Sequence, residues 1–120
     1  MSIDYGHGEA YNDASKSYNE GKYSDAFAKF MALAEGGCVV SLPCLATMYF
    51  RGEGVTADPS LGIKMLEKAC SLGDPNSAYN LGALYRSGNY SVHIDLEESR
   101  KFFLLAKELG IELDITPFIS

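Results

Sequence analysis

The chain has 120 residues, 47% of them hydrophobic, and a formal net charge of −6 at pH 7. This length suits a single domain, and the acidic balance argues against a nucleic-acid partner, because binding to phosphates relies on clustered Lys and Arg. No apolar run approaches the length of a membrane span, so a membrane partner is not expected either.

The cysteines and the N-terminus predict a cytoplasmic location. Cys38, Cys44 and Cys70 are an odd number and lack CxxC spacing, which suits reduced thiols better than a disulfide framework. The first residues contain neither the basic nor the apolar region of a secretion signal.

Apolar residues recur at helical spacing along the chain. In the second segment the pattern is Phe27, Phe30 and Leu33, and in the fourth it includes Ile63 and Leu66. The pattern and the glycines between segments predict six helices. These lie near residues 8–20, 23–36, 41–51, 59–72, 75–87 and 95–109.

Three aspartates are predicted to begin helices. Asp58 and Asp74 each stand before a proline, which is favoured at the first helical position because it has no N–H to leave unpaired. Asp95 and Glu98 have the spacing of a capping box, in which each side chain bonds the other residue's backbone N–H.

Several features recur at intervals of 31 to 37 residues, which is typical of stacked helix pairs. Three tyrosines are each followed three residues later by glycine: Tyr18, Tyr49 and Tyr85. Two sets of small residues follow the same period: Ser15, Ala46 and Gly82, then Ala26, Gly62 and Ser99. We expect the paired helices to approach closely at the small residues and the tyrosines to lie in the core.

The segment "YFRGEGVTADPSLGIKMLEKACSLGDPNSAYNLGALYRSG" resembles the Sel-one-like repeat, a relative of the tetratricopeptide repeat. Its landmarks here are Leu45-Ala46, Tyr49, Gly52, Gly54, Val55, Asp58, Ala69-Cys70 and Gly73. The next unit keeps most of them but has one extra loop residue and lacks the second loop glycine. The first unit, with "YNEGKYSDAFAKF", is similar to an ordinary tetratricopeptide turn.

This resemblance implies an all-α fold, a short right-handed α-solenoid of three antiparallel helix pairs in one domain, residues 1–120. The repeat units are about 8–37, 41–73 and 75–110, with a C-terminal tail over 111–120. It also implies a protein-interaction scaffold whose concave face is lined by the first helix of each pair. The candidate partner-binding residues on that face are Asn12, Lys16, Asn19, Thr47, Phe50, Arg51, Asn76, Tyr79 and Arg86.

A structural interpretation of the four leading candidates is equally open. Arg51 and Arg86 lie near the C-terminal ends of predicted helices, where a positive charge interacts favourably with the negative end of the helix dipole. Phe50 and Tyr79 are suited to packing between repeats.

Candidate catalytic and cofactor sites are weak. The "GEG" at residues 52–54 is not followed by the Gly-Lys-Ser/Thr of a phosphate loop, and no serine has a lysine three residues later. His7 and His93 lack a neighbour at metal-ligand spacing. We therefore expect no enzyme activity, no metal and no cofactor.

The leading functional hypothesis is a non-catalytic scaffold that holds a partner polypeptide on its concave face. A narrower version is an immunity or antitoxin-type inhibitor, since an acidic surface favours capture of a basic partner. The alternatives are a small-molecule-binding protein or hydrolase that uses the groove, or a self-associating structural unit.

The apolar tail, residues 111–120, is predicted to cover the exposed end of the solenoid. The alternative is that this C-terminal face contacts a partner or a second copy. The corresponding expectation for oligomeric state is a monomer or a weak homo-oligomer.

Overall fold

The computed structural model describes residues 7–112, and the regular secondary structure of this part of the chain is all helical, without strands. The helices are α1 (Gly8–Asn19), α2 (Tyr23–Glu35), α3 (Ser41–Arg51), α4 (Pro59–Ser71), α5 (Pro75–Ser87) and α6 (Leu96–Glu108), with a short 3-10 turn at Asn89–Ser91 between the last two. The helices pack as three antiparallel pairs, α1–α2, α3–α4 and α5–α6. Neighbouring pairs meet through α2–α3 and α4–α5, which makes a short solenoid.

The predicted aspartate caps are confirmed. The Asp58 carboxylate accepts from the Leu61 N–H at 3.2 Å, and the Asp74 carboxylate accepts from the Ser77 N–H at 3.2 Å. Each therefore satisfies one of the backbone donors that a helix start leaves unpaired.

The capping box at the start of α6 is only half formed, so that prediction was partly wrong. Asp95 does accept from the backbone N–H groups of Glu97 and Glu98. The Glu98 carboxylate, however, pairs with Lys101 at 2.9 Å, while the Asp95 N–H donates to the carbonyl of Tyr85.

Close helix approach at the small residues is confirmed in two pairs. A Cβ on Gly62 would lie 2.8 Å from the Phe50 ring, and one on Gly82 would lie 2.9 Å from the Phe103 ring. The buried Ser99 hydroxyl also donates to the Gly82 carbonyl at 2.8 Å, which ties α6 directly to α5. Larger side chains at these two glycines would overpack the contact.

The core forms two clusters that meet at Met65. One joins the first and second pairs around Phe30, Leu45 and Met48; the other joins the second and third pairs around Leu66 and Leu81. Because each pair buries apolar residues against the next, no pair depends on its own interior alone.

The three recurring tyrosines, which were expected in the core, lie at its edge. All three are half-buried, and each packs on another aromatic ring. The partners are Tyr23 for Tyr18, Phe27 for Tyr49 and Phe102 for Tyr85, at centroid distances of 5.2, 5.5 and 5.9 Å. A phenol keeps its polar end near water in this arrangement.

The predicted tail falls mostly outside the described residues, which end at residue 112. Ile111 is described, and it packs against the cluster that joins the second and third pairs. Its N–H donates to the Ala106 carbonyl at 3.0 Å.

Candidate functional site

A cleft of about 250 Å³ opens between α3 and α5, the first helices of the second and third pairs. We call it the α3–α5 cleft. Its lining combines apolar, amide, hydroxyl and guanidinium groups. The residues are Pro43, Ala46, Thr47, Phe50, Arg51, Leu66, Asn80, Ala83, Leu84, Asn89 and Tyr90.

The floor of this cleft is apolar and the rim is polar. Ala46, Phe50, Leu66 and Leu84 are all buried and belong to one core cluster, so the floor is held by the packing of the solenoid. On the rim, Asn80 and Asn89 are exposed, which leaves amide groups beside the apolar floor. A partner side chain could therefore bury apolar area against the floor while its polar atoms form hydrogen bonds at the rim.

Arg51 lies at the rim between two phenols. Its Nη1 donates to the Tyr18 hydroxyl at 3.4 Å and its Nε to the Tyr90 hydroxyl at 3.5 Å. These hydrogen bonds raise the pKa of Arg51 further, so the guanidinium is charged at any physiological pH. The Tyr18 hydroxyl in turn donates to the Glu53 carboxylate at 2.7 Å.

No ion pair among residues 7–112 involves Arg51, and its hydrogen-bond acceptors in that range are phenol oxygens. Hydroxyl acceptors of this kind orient the guanidinium without supplying a negative charge. Burial and the bond to Glu53 raise the pKa of Tyr18, which keeps that phenol protonated.

The loop after α5 completes the cleft. Tyr90 stacks on Phe50 with ring centroids 5.0 Å apart and planes 18° apart, although the two residues belong to different repeat units. Tyr90 and Ser91 have φ angles of 58° and 62°, a left-handed conformation that non-glycine residues adopt at a cost. With this backbone conformation, the phenol of Tyr90 lies over the floor, where it stacks on Phe50.

A second cleft, of about 290 Å³, lies between α1 and α3. It is adjacent to the first, since Thr47 lines both and Tyr18, which lines the second, bonds to Arg51 of the first. The remaining lining residues are Ser15, Asn19, Phe30 and Cys44.

The Cys44 side of this second cleft is held by a thiol–phenol contact. The Tyr11 hydroxyl and Cys44 Sγ are 3.4 Å apart. That contact, with burial, raises the pKa of Tyr11 to about 12, and burial raises the pKa of the Cys44 thiol. Both raised pKa values favour the protonated, neutral forms of the two groups at neutral pH.

Charge is unevenly distributed among the helices. Arg51 is the only charged residue of α3 and Arg86 the only one of α5, whereas α6 carries Glu97, Glu98 and further charged residues of both signs. The helices that line the α3–α5 cleft are thus locally cationic within an acidic chain.

The structure brings together four of the nine residues predicted to bind a partner. Thr47, Phe50 and Arg51 line the α3–α5 cleft, and Asn19 lines the second cleft with Thr47. Phe50 is 9% exposed and serves as floor. The other five are exposed and line neither cleft: Asn12, Lys16, Asn76, Tyr79 and Arg86.

Sequence reasoning missed Asn80, Asn89 and Tyr90, which complete the rim. The adjacent Tyr79 was predicted in place of Asn80, and its ring instead packs on Phe103 at 5.4 Å. For Tyr90 a signal existed, because the extra loop residue of the third unit marks the place where the repeat pattern departs.

Two negative findings bear on the alternatives. Among residues 7–112, no group of three or more His, Cys, Asp or Glu side chains is arranged to hold a metal ion. Within that same range, no helix has the length and apolar character needed to cross a membrane.

The Sel1 repeat model matches the chain at residues 45–74 and 75–111, more than half of its length and the same two units that contain the cleft. The chain belongs to the Sel1 repeat family. The match covers α3 from Leu45, all of α4 to α6 and the loops between them. Of the repeat's landmark residues only Ala46 lines the α3–α5 cleft, so the landmarks build the hairpins and other residues form most of the lining.

Solved Sel1 repeat proteins share the fold. A Sel1 repeat protein from Oxalobacter formigenes superposes with a TM-score of 0.71 at 26% identity, covering 92% of this chain and 47% of its own. A protective antigen of uropathogenic Escherichia coli with an SLR fold gives a TM-score of 0.65 at 36% identity, covering 74% of this chain and 19% of its own.

A curated relative is similar in sequence. An exopolysaccharide production negative regulator of Rhizobium leguminosarum bv. viciae is 30% identical over 109 residues, which cover 80% of this chain and 41% of the relative. The chain spans less than half the length of these relatives.

Proposed function

We propose that this chain is a non-catalytic protein-interaction module that holds a segment of a partner protein in the α3–α5 cleft. The observation that carries the proposal is the cleft itself, with a packed apolar floor and the polar rim of Arg51, Asn80 and Asn89. Sel1 repeats are generally protein-interaction modules, and the matched units contain this cleft.

The size of the cleft favours an anchoring side chain over a whole small molecule. Its volume of about 250 Å³ is below the ~300–1,000 Å³ typical of small-molecule pockets. An extended polypeptide could fill it with one large side chain and continue into the adjacent second cleft across Thr47. Affinity would then come from a few buried anchors, as is usual for protein interfaces.

A regulatory role in the cytoplasm is the narrower form of this proposal. The sequence-similar relative is named as a negative regulator, and a binding module regulates by occupying a surface of its target. The immunity or antitoxin-type hypothesis is one such case. It is supported by the net charge of −6, which would speed the approach of a basic target.

Site-directed photocrosslinking tests the proposal. A photoreactive residue replaces Asn80 or Asn89 at the rim, and the matched control places it at Glu67, which is exposed on α4 outside the cleft lining. The variants are mixed with an extract of the source cells. We expect one protein to crosslink from both rim positions and not from Glu67.

The crosslinked protein then has to bind on its own. The identified segment, purified, should bind the chain with one-to-one stoichiometry, and Thr47→Arg, which fills the cleft, should abolish that binding while the helical circular dichroism is retained. Crosslinking that is equally strong from Glu67, or a purified segment that binds Thr47→Arg normally, would contradict a cleft-mediated function.

A further inference from the structure

We infer that the α3–α5 cleft recognises a carboxylate beside a large apolar side chain, on an extended acidic segment of the partner. This deepens the proposed function and rests on it. It also reverses, at the cleft, the preference for a basic partner that the overall net charge suggests.

Arg51 presents a charged guanidinium that a partner carboxylate can bind. Its guanidinium is exposed at the rim, fully charged, and bonded only to the hydroxyls of Tyr18 and Tyr90 among the described residues. Both contacts are long, at 3.4 and 3.5 Å, compared with about 2.7–2.9 Å for a charge-assisted bond. A partner carboxylate would form the shorter and stronger bonds and leave the phenols to position the side chain.

The lining of the α3–α5 cleft carries a positive charge. Among the lining residues of the α3–α5 cleft, Arg51 is the only one with a charged side chain. A basic partner segment would therefore place a cation beside a cation with no acidic group of the lining to receive it. Glu53, the neighbouring acid, is already bonded to Tyr18 at 2.7 Å and is not part of the lining.

The floor of the cleft is apolar and suits a large apolar side chain. Phe50, Leu66 and Leu84 present apolar surface directly beside the guanidinium. A cleft of about 250 Å³ suits one aromatic or aliphatic side chain next to the carboxylate. Binding both groups at once gives specificity, because a segment that matches only one leaves either the charge or the floor unsatisfied.

The test uses short fluorescent peptides, acetylated and amidated, with one central pair flanked by Gly and Ser. The pairs are Asp-Phe, Asn-Phe and Lys-Phe, and binding to the whole chain is measured by polarisation. We expect Asp-Phe to bind roughly tenfold more tightly than Asn-Phe, the loss expected for one charged hydrogen-bonding pair, and Lys-Phe to bind weakest.

Two variants assign the effect to the cleft. Arg51→Gln should abolish the discrimination between Asp-Phe and Asn-Phe. Lys64→Gln removes the same charge from an exposed position on α4 outside the lining and should preserve it. Equal discrimination in Arg51→Gln, tighter binding of Lys-Phe in the unmodified chain, or no binding of any peptide would overturn the inference.

Further probes distinguish the source of the carboxylate and the class of ligand. A peptide that ends in Phe with a free terminal carboxylate competes with the amidated Asp-Phe peptide. The peptide that binds more tightly shows whether the carboxylate of a chain end or of a side chain is preferred.

The class of ligand is tested with a small anion. Binding of 3-phenylpropionate as tight as either peptide would assign the cleft to a small anion and overturn the polypeptide ligand. Self-association that Arg51→Gln abolishes would assign it to a second copy.

This outcome is separable from that of the proposed function. A segment that crosslinks at the rim and binds one-to-one but contains no acidic residue beside an apolar one would leave the interaction module standing. It would remove only the carboxylate specificity.

Discussion

The backbone N–H of Asp58 donates to the carbonyl of Tyr49 at 2.8 Å. The same contact recurs in the next unit, where the Asp95 N–H donates to the Tyr85 carbonyl at 2.9 Å. In both units the residue that caps the second helix is thus tied to the recurring tyrosine of the first. The loop of the third unit is one residue longer, so two different backbone paths close an equivalent hydrogen bond.

Because the Asp95 N–H is bonded to the Tyr85 carbonyl, Asp95 and Glu98 should contribute unequally to the stability of the fold. We expect Asp95→Ala to lower the free energy of unfolding by about 1 kcal/mol, since it removes the acceptor for two backbone donors. Glu98→Ala should cost only about 0.2–0.5 kcal/mol, because it removes a pair with Lys101 three residues away and no cap. Urea denaturation of the two variants measures both, and a larger loss in Glu98→Ala would contradict the half-formed box.

The Phe50–Gly62 contact predicts a steep dependence on side-chain size. Gly62→Leu should lower stability by roughly 1–3 kcal/mol or more, because even a Cβ would lie 2.8 Å from the ring. Ala28→Leu, at an exposed position on α2, is the control and should change stability by no more than about 0.5 kcal/mol. Thermal melts followed by circular dichroism compare the two.

A double variant tests whether the loss arises at that ring. Phe50→Leu makes room, so the combination with Gly62→Ala should lose less stability than the sum of the two single changes. Strict additivity would show that the two residues do not share a contact.

The left-handed backbone at Ser91 predicts a stabilising substitution. Its φ is 62°, and glycine adopts that region freely, at some cost in the entropy of the unfolded chain. Ser91→Gly should therefore raise stability by about 0.5–1 kcal/mol. Ser87→Gly, at the last residue of α5, should lower it by about 0.5 kcal/mol, and chemical denaturation of both decides whether the loop conformation is as described.

The ion-pair network of the first hairpin predicts a shifted titration. Lys29 lies 3.0 Å from Asp25 and 2.8 Å from Asp13, and hydrogen bonds from Lys29 and then Ser17 lower the pKa of Asp25. A folded-state pKa below the unfolded one means that the stabilisation is present above the unfolded value and is lost as the pH falls through the folded value.

NMR titration of the carboxyl carbons measures that shift. We expect Lys29→Met to move the pKa of Asp25 up towards its ordinary value and to weaken the pH dependence of stability in acid. Lys64→Met, elsewhere on the surface, should leave it where it is. An unchanged Asp25 titration in Lys29→Met would remove the assigned cause.

Burial predicts slow thiol chemistry. It raises the pKa of Cys70 to about 11, assisted by Asp74 and Glu67, so the thiolate population at pH 8 is roughly 100-fold lower than in the unfolded chain. We expect Cys70 to react with a disulfide reagent at least that much more slowly in the native chain than in denaturant. Mass spectrometry of the labelled peptides gives the rate, and rapid native labelling of Cys70 would contradict its burial.

Sequence reasoning predicted the helices closely, because their ends are set locally. The predicted bounds agree with the observed ones to within a residue, since Asp58 and Asp74 with their prolines define two starts and Gly52 and Gly88 follow two ends in left-handed conformation. Each of these signals depends on a few consecutive residues.

The cleft was only partly predictable, because it depends on contacts between units. The position of Tyr90 results from its stack on Phe50 and its bond to Arg51, and neither partner is near it in sequence. The depth at which the three recurring tyrosines lie was also not predictable, because periodicity shows that a position recurs and not how deeply its side chain is buried.

The small first-helix residues have a consequence for how such repeats can change. Ser15 lines a cleft with Phe30, Ala46 shares a cluster with Leu66, and Gly82 meets Phe103, so each hairpin combines one slim and one bulky side chain at an equivalent level. A hairpin moved into another place in the stack should therefore fit when both halves travel together and clash or leave a void when only one helix is exchanged.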